Sequence, residues 1–281
     1  MRDYYHVYTK GLEDDVMFRS NEDYVVGMNY VPVSIIGLDV LILAFVLMSN
    51  HVHFIVYGTY DEVSRFIEMY KNLIGRYARN KYGVKELLRR VGTGVSLIPD
   101  SAEELKRKIA YVLNNPVAAG INCLPVTYEW GSGRCYFNGN RSMGQGLPLS
   151  SFSRNEQKKL MRTHKILMQG YLVTEQGYID PRCYVNADIV EKLYYKANSL
   201  AYYLGAQPKR SSSLLLSDTL LTNIVDEIID KQYGGLHPSQ LSKESLTVLI
   251  KDMNRRLNSS AKQIARVLKV SLTEVVSILK R

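Results

Sequence analysis

Residues 48 to 58 read MSNHVHFIVYG and set His51 and His53 one residue apart inside an apolar run. Side chains on a strand alternate between faces, so the two imidazoles project together while Val52 points away. Two neutral imidazoles side by side are a natural pair of ligands for a divalent metal ion. The same pair could pack at a sheet surface and hydrogen-bond to its neighbours, and the spacing alone does not decide. A second group lies in YVLNNP, residues 111 to 116. Tyr111 and Asn115 are four residues apart and share one helical face, with Asn114 slightly off it. A phenol and an amide placed this way offer a nucleophile and a further oxygen ligand. Packing by Tyr111 and helix closure by Asn115 before Pro116 is the plainer account of the same residues. Tyr77 and Tyr82 are rival nucleophiles, since the chain holds 21 tyrosines against 6 phenylalanines and 1 tryptophan. Tyr111 alone combines an amide four residues on with the asparagine-proline context.

The elements that must hold these groups follow from the hydrophobic pattern. YYHVYTKGL (4–12) has strand-like aromatic and β-branched content and stops at a glycine. A helix opens after Ser20, an N-cap followed by acidic residues, and Pro32 is expected to end or bend it. Residues 39–57 give two strands joined tightly at Ser49-Asn50. Residues 60–83 carry apolar side chains at 63, 66, 67, 70, 73, 74 and 77, the spacing of a helix. A short strand is expected within 91–100, and a helix over 101–116 begins with the capping pair Ser101 and Glu104. This order predicts an α+β domain over residues 1–140, with an antiparallel sheet, helices on one face, and the histidines on a central strand. The Gly- and Ser-rich stretch 139–153 reads as a linker, 154–205 as mostly helical, and 205–213 as a second break. The division is then 1–140, a region of unknown role over 141–240, and a basic helical end from 241.

The formal net charge is +9, from 36 Lys and Arg against 27 Asp and Glu, which favours a polyanionic partner. The hydrophobic share of 46% and charged share of 22% are those of a folded soluble protein. Three cysteines without CxxC spacing argue against a disulfide framework or a zinc finger and for reduced thiols. The N-terminus lacks the layout of a signal peptide, and the longest apolar stretch, residues 40–48, is about half of what a bilayer-spanning helix needs. A cytoplasmic protein with no membrane partner is the expectation.

Together, MSNHVHFIVYG, YKNLIGRYARNKYG and YVLNNPVAAGINCLPVTYEWGSGRCY resemble the HUH single-tyrosine DNA nucleases, most closely the REP-associated tyrosine transposases and their insertion-sequence relatives. The opening YHVYTKG is similar to that family's first strand. The resemblance covers about residues 1–140. It implies a ferredoxin-like βαββαβ fold, His51 and His53 as metal ligands, and Tyr111 as the nucleophile. Asn115 stands where insertion-sequence members often carry a glutamine as third ligand. It further implies Mg²⁺ or Mn²⁺ as cofactor, single-stranded DNA bearing a palindromic hairpin as partner, and a possible homodimer. Attack by the tyrosine leaves a 5′-phosphotyrosine and a free 3′-hydroxyl, so the strand can be rejoined without ATP.

The chain's last 23 residues, SSAKQIARVLKVSLTEVVSILKR, have the cadence of a helix-turn-helix. Ala265 permits close helix approach, Val270 seals the turn and Ser271 caps the second helix. Residues 242–281 hold nine Lys and Arg against three Asp and Glu, a net +6. Candidate DNA-contacting positions are Lys262, Gln263, Arg266, Thr273, Glu274, Ser277 and Lys280. A helical hairpin with a solvated basic face is the alternative. For the whole chain the alternatives are a non-catalytic DNA-binding regulator and an unrelated metal hydrolase using the HxH pair.

Overall fold

The computed structural model describes residues 1–10, 16–83, 91–121, 124–137, 146–207 and 216–280. Strand β1 (Asp3–Lys10) is followed by helix α1 (Asn21–Ser34), strands β2 (Leu41–Leu47) and β3 (Val52–Gly58), helix α2 (Tyr60–Tyr82), strand β4 (Gly92–Leu97) and helix α3 (Ala102–Leu113). The four strands form one antiparallel sheet in the order β2-β3-β1-β4. Non-consecutive neighbours β1 and β3 therefore fill the centre, and β3 is the strand that carries His53.

Local chemistry sets the boundaries. Ser20 caps α1 in a full capping box with Asp23. Pro32 does not end that helix as expected. It lies inside the last turn, and the helix continues to Ser34, where the missing N–H and the ring clash affect only one turn. Thr59 caps α2, and Gly83 closes it in the left-handed conformation, with φ of 66°. Ser49 and Asn50 form the tight connection, with the Met48 N–H donating to the His51 carbonyl at 2.8 Å. Helix α3 stops at Leu113 because Pro116 has no N–H for the Val112 carbonyl. The Asn115 amide donates there instead, at 3.4 Å, and to the Tyr111 carbonyl at 2.9 Å.

The helices are not confined to one face. Phe54 meets Phe66 and Tyr70 edge-on, which places α2 on the face of the even-numbered β3 residues. Tyr111 meets His53, which places α3 on the opposite face. A sheet buried on both sides accounts for the nearly continuous apolar runs of β2 and β3.

The expected boundary at residue 140 is not an edge of the core. Residues 146–153 hold strand β5 (Gly146–Pro148) and the buried Leu149 rather than a linker; residues 139–145 of that stretch lie outside those described. Strand β5 pairs with β6 (Leu172–Thr174), so the region read as mostly helical contains a small sheet beside α4 (Arg154–Met161), α5 (Ala187–Tyr194) and α6 (Ala197–Gly205). Its buried residues, among them Met161, Tyr178, Ile179, Val190 and Leu200, join the same hydrophobic cluster as the main sheet. Asn29 of α1 pins it, donating to the Leu160 and Gly177 carbonyls and accepting from the Ile179 N–H.

A second cluster is separate. Helices α7 (Asp218–Tyr233), α8 (Lys243–Arg256), α9 (Ala261–Leu268) and α10 (Leu272–Leu279) share a core around Leu221, Ile250, Met253, Ala265, Leu268 and Val275. The C-terminal unit thus starts with α7, before the expected residue 241. The break expected at 205–213 falls mostly outside the described residues. No helix among the described residues is long and apolar enough to cross a membrane. Cys135 and Cys183 are free thiols, and Cys123 lies outside the described residues.

Candidate functional site

The site assembles on the α3 side of the sheet, at the end of β3 where the hairpin begins. Strand alternation brings His51 and His53 to the same side, with ring centroids 4.8 Å apart and planes at 82°. Residue 51 lies just before the first residue of β3, beside the turn. The Nδ1 of His51 lies 2.7 Å from Asn50 Oδ1, and an amide oxygen can only accept, so the proton sits on Nδ1. Helix α3 crosses above and delivers Tyr111, whose ring stands edge-on to His53 at 5.8 Å. The Tyr111 side of the helix is open, the residue being 41% exposed. Lys108, one turn earlier, holds its ammonium 5.4 Å from the centre of the Tyr111 ring.

Two further side chains complete the cluster, both from β1. His6 Nε2 lies 3.0 Å from His53 Nδ1, one imidazole donating and the other accepting. Tyr111 meets His6 edge-on as well, at 5.8 Å. Tyr8, opposite His53 in the β1–β3 register, stacks on His6 at 4.9 Å. Its ring lies across Gly94 of β4, where a Cβ would fall 2.4 Å from the Tyr8 ring. Only glycine leaves room for that ring.

Burial keeps His6 and His53 neutral. Burial, then the Lys108 charge, lowers the pKa of His6 from 6.5 to about 4. Burial, then His51, His6 and Lys108, lowers that of His53 to about 2. Both side chains are therefore in the form that binds metals at neutral pH. The Nδ1 of His53 faces His6, so Nε2 is the atom left to reach a ligand, and His6 orients the ring as outer-shell partners of metal-binding histidines do. Among the described residues no group of three or more His, Cys, Asp or Glu is arranged to hold a metal ion. The two imidazoles fit a divalent cation that takes its remaining ligands as oxygens. Asn115, expected as the third ligand, uses its amide to close α3.

The rival tyrosines stand elsewhere. Tyr77 and Tyr82 donate to Asp23 on the α1–α2 side, at 2.7 and 2.8 Å, with Lys81 completing the network. Burial raises the pKa of both phenols, and the Asp23 carboxylate adds to the shift. His6, Tyr8, Gly94 and Lys108 escape sequence reasoning. The alternation in YYHVYTK puts His6 and Tyr8 on one face, and only the register of β1 against β3 turns that face toward the histidine pair.

At the C-terminal unit, α9 and α10 are joined through Lys269 in the left-handed conformation, Val270, and the cap Ser271, which accepts from the Glu274 N–H. Lys262, Thr273, Glu274, Ser277 and Lys280 are exposed. Gln263 and Arg266, expected on a DNA-facing surface, point inward. The Gln263 amide donates to Asp218 and the Leu216 carbonyl, and Arg266 makes an ion pair with Asp218 at 2.9 Å. Asp218, 1% exposed, also accepts from the Ser49 hydroxyl at 2.5 Å. The C-terminal helices are thereby tied to the turn that precedes His51.

No protein-family model, curated protein or solved structure matches this chain.

Proposed function

We propose that the chain is a metal-assisted single-strand DNA nuclease and strand transferase of the HUH single-tyrosine type, acting beside hairpins. The observation that carries this reading is the meeting of Tyr111 with His53, which shares its side of the central strand with His51. The βαββαβ order with strands in the sequence β2-β3-β1-β4 is the ferredoxin-like arrangement that the resemblance implies, and it supports the same reading.

In the reaction the Tyr111 phenol loses its proton and its oxygen forms a bond to the scissile phosphorus. The bond from phosphorus to the 3′-oxygen breaks, and that oxygen takes up a proton. The phosphodiester is exchanged for a phosphotyrosine ester, so the reverse reaction needs no nucleotide cofactor. A Mg²⁺ or Mn²⁺ ion held by His51 and His53 would supply Lewis-acid polarisation of the phosphate. His6 holds the His53 ring in place. Lys108 adds a positive charge beside Tyr111 where the phosphate must sit, and it favours an anionic substrate there.

The exposed polar positions of α9 and α10 support a helix-turn-helix that grips the hairpin stem through Lys262 and Lys280. A non-catalytic regulator is the second reading. It is favoured by the helix pair α9–α10, whose exposed Lys262 and Lys280 can hold DNA without chemistry at Tyr111. The test is incubation of the protein and Mn²⁺ with labelled single-stranded DNA next to a hairpin. The nuclease reading expects a protein–DNA adduct that survives denaturation, disappears with EDTA, and is absent in Tyr111→Phe and His53→Ala. Hairpin binding without an adduct under any divalent metal supports the regulator.

A further inference from the structure

The accessory region 146–205 presents two tyrosines to solvent that its core does not need. Tyr195 is 80% exposed and Tyr202 is 72% exposed. Both rings stand open to solvent, one at the end of α5 and one on α6, and are free to stack on a flat partner. Tyr195 is also held in a backbone conformation with φ of 67° and ψ of −39°, which is unfavourable for a bulky side chain. A glycine would meet that turn without strain. The strained position instead carries the most exposed tyrosine ring among the described residues.

These tyrosines lie beside the helix that carries the nucleophile. The preceding residue, Tyr194, is buried and donates to the Lys106 carbonyl of α3 at 2.6 Å. On α6, Tyr203 donates to Glu103 of α3 and lies under the Lys106 ammonium at 5.7 Å. Tyr202 meets Tyr203 edge-on at 5.5 Å. From Lys106 to Tyr111 is about 8 Å along the helix axis. Cations accompany the rings: Lys196 stands 5.5 Å from the centre of the Tyr195 ring, Lys192 is exposed one turn earlier, and Lys108 lies over Tyr111. Of the acidic groups here, Glu103 and Glu104 are held by Arg107 and Glu191 accepts from the Phe137 N–H, while Asp188 of α5 is exposed.

We infer that Tyr195 and Tyr202 form a stacking platform for unpaired bases, guiding a single strand along α5 and α6 toward Tyr111. Open aromatic faces interleaved with lysines suit single-stranded nucleic acid, because every base has a π-face and every linkage a phosphate. Acidic peptides would use the lysines but leave the rings idle, and duplex DNA hides its base faces. The inference deepens the proposed nuclease reading by assigning the path of its substrate strand.

Equilibrium binding separates the two. Oligothymidylate carrying 2-aminopurine is titrated with the full-length protein in EDTA, where no cleavage is possible. Tyr195→Ala and Tyr202→Ala are each expected to weaken binding about tenfold and to lose part of the quenching that stacking causes. Tyr195→Phe and Tyr202→Phe keep the ring and should bind nearly as wild type. Affinity for a blunt hairpin should stay unchanged in all four. Tyr195→Gly relieves the strained backbone, so its melting temperature should not fall although strand binding does. Alanine variants that bind the oligonucleotide like wild type overturn the inference even if the protein cleaves DNA. So does a lowered melting temperature in Tyr195→Gly, which would make Tyr195 structural. Binding that follows the rings in a protein that never forms an adduct keeps the platform and sinks the nuclease.

Discussion

A histidine buried in an apolar run costs stability unless it stays neutral, and His53 illustrates how that is arranged. Its ring is buried, with His51, His6 and Lys108 close by, so the folded protein resists protonation down to a pH of about 2, against an ordinary value of 6.5. His6 resists down to about 4. Above pH 6.5 both states of the chain carry neutral rings and the effect vanishes. Below it the unfolded chain takes up protons that the folded protein cannot. Stability of the metal-free protein is thus expected to fall as pH drops from 6.5, by at most about 1.4 kcal/mol per pH unit for each histidine. The His6 contribution levels off below about pH 4. Urea titrations in EDTA at a series of pH values measure this, and His53→Gln should flatten the slope; a slope that does not change would mean His53 is not protected. His51, His53 and Tyr111 were legible in the sequence because strand parity and helical spacing are local. His6 and Tyr8 were not, because their place depends on pairing between strands more than forty residues apart.

At the scale of elements, the end of α3 shows how one residue serves a break in the chain. Pro116 would leave the Val112 carbonyl without a donor, and Asn115 supplies one from its side chain. Asn115→Ala is expected to lower stability by about 1 kcal/mol by leaving these carbonyls to water. It should still form the DNA adduct at a rate within a few-fold of wild type. An adduct abolished in a folded Asn115→Ala protein, and restored by Asn115→Gln, would return the residue to the metal. The strands and helices of the first hundred residues follow from periodicity and caps, Ser20, Ser101 and Gly83 among them. Which side of the sheet a helix takes does not, since β2 and β3 are apolar on both faces and read alike from either. Strands β5 and β6 are three residues each, too short for alternation to register.

For the whole molecule, the decisive contact is Asp218, which joins the C-terminal helices to the hairpin of His51. Its carboxylate is held by Ser49, Gln263 and Arg266 with almost no solvent contact. Asp218→Ala leaves Arg266 inside without a counter-ion and is expected to cost about 3 kcal/mol or more, whereas Asp218→Leu with Arg266→Met should recover most of it. Denaturant unfolding of the three proteins decides the matter, and equal stability of all three would deny the junction its role. Arg266→Ala should leave the salt dependence of hairpin binding alone, while Lys262→Ala and Lys280→Ala each lower its slope by about 1. The sequence shows the helix pair and its caps, but Arg266 and Gln263 read as surface residues. Their partner, Asp218, lies in a helix that carries no motif.

The most direct measurement is to map the covalent adduct. Wild-type protein, Mn²⁺ and hairpin-flanked single-stranded DNA are reacted, digested with nuclease and protease, and the nucleotide-bearing peptide is sequenced by mass spectrometry. The expected result is a single peptide spanning residue 111, with the nucleotide joined through its 5′-phosphate to the Tyr111 oxygen. A nucleotide on Tyr77, Tyr82 or any other residue, or joined through its 3′ end, would contradict the assignment of Tyr111 as nucleophile at the histidine pair.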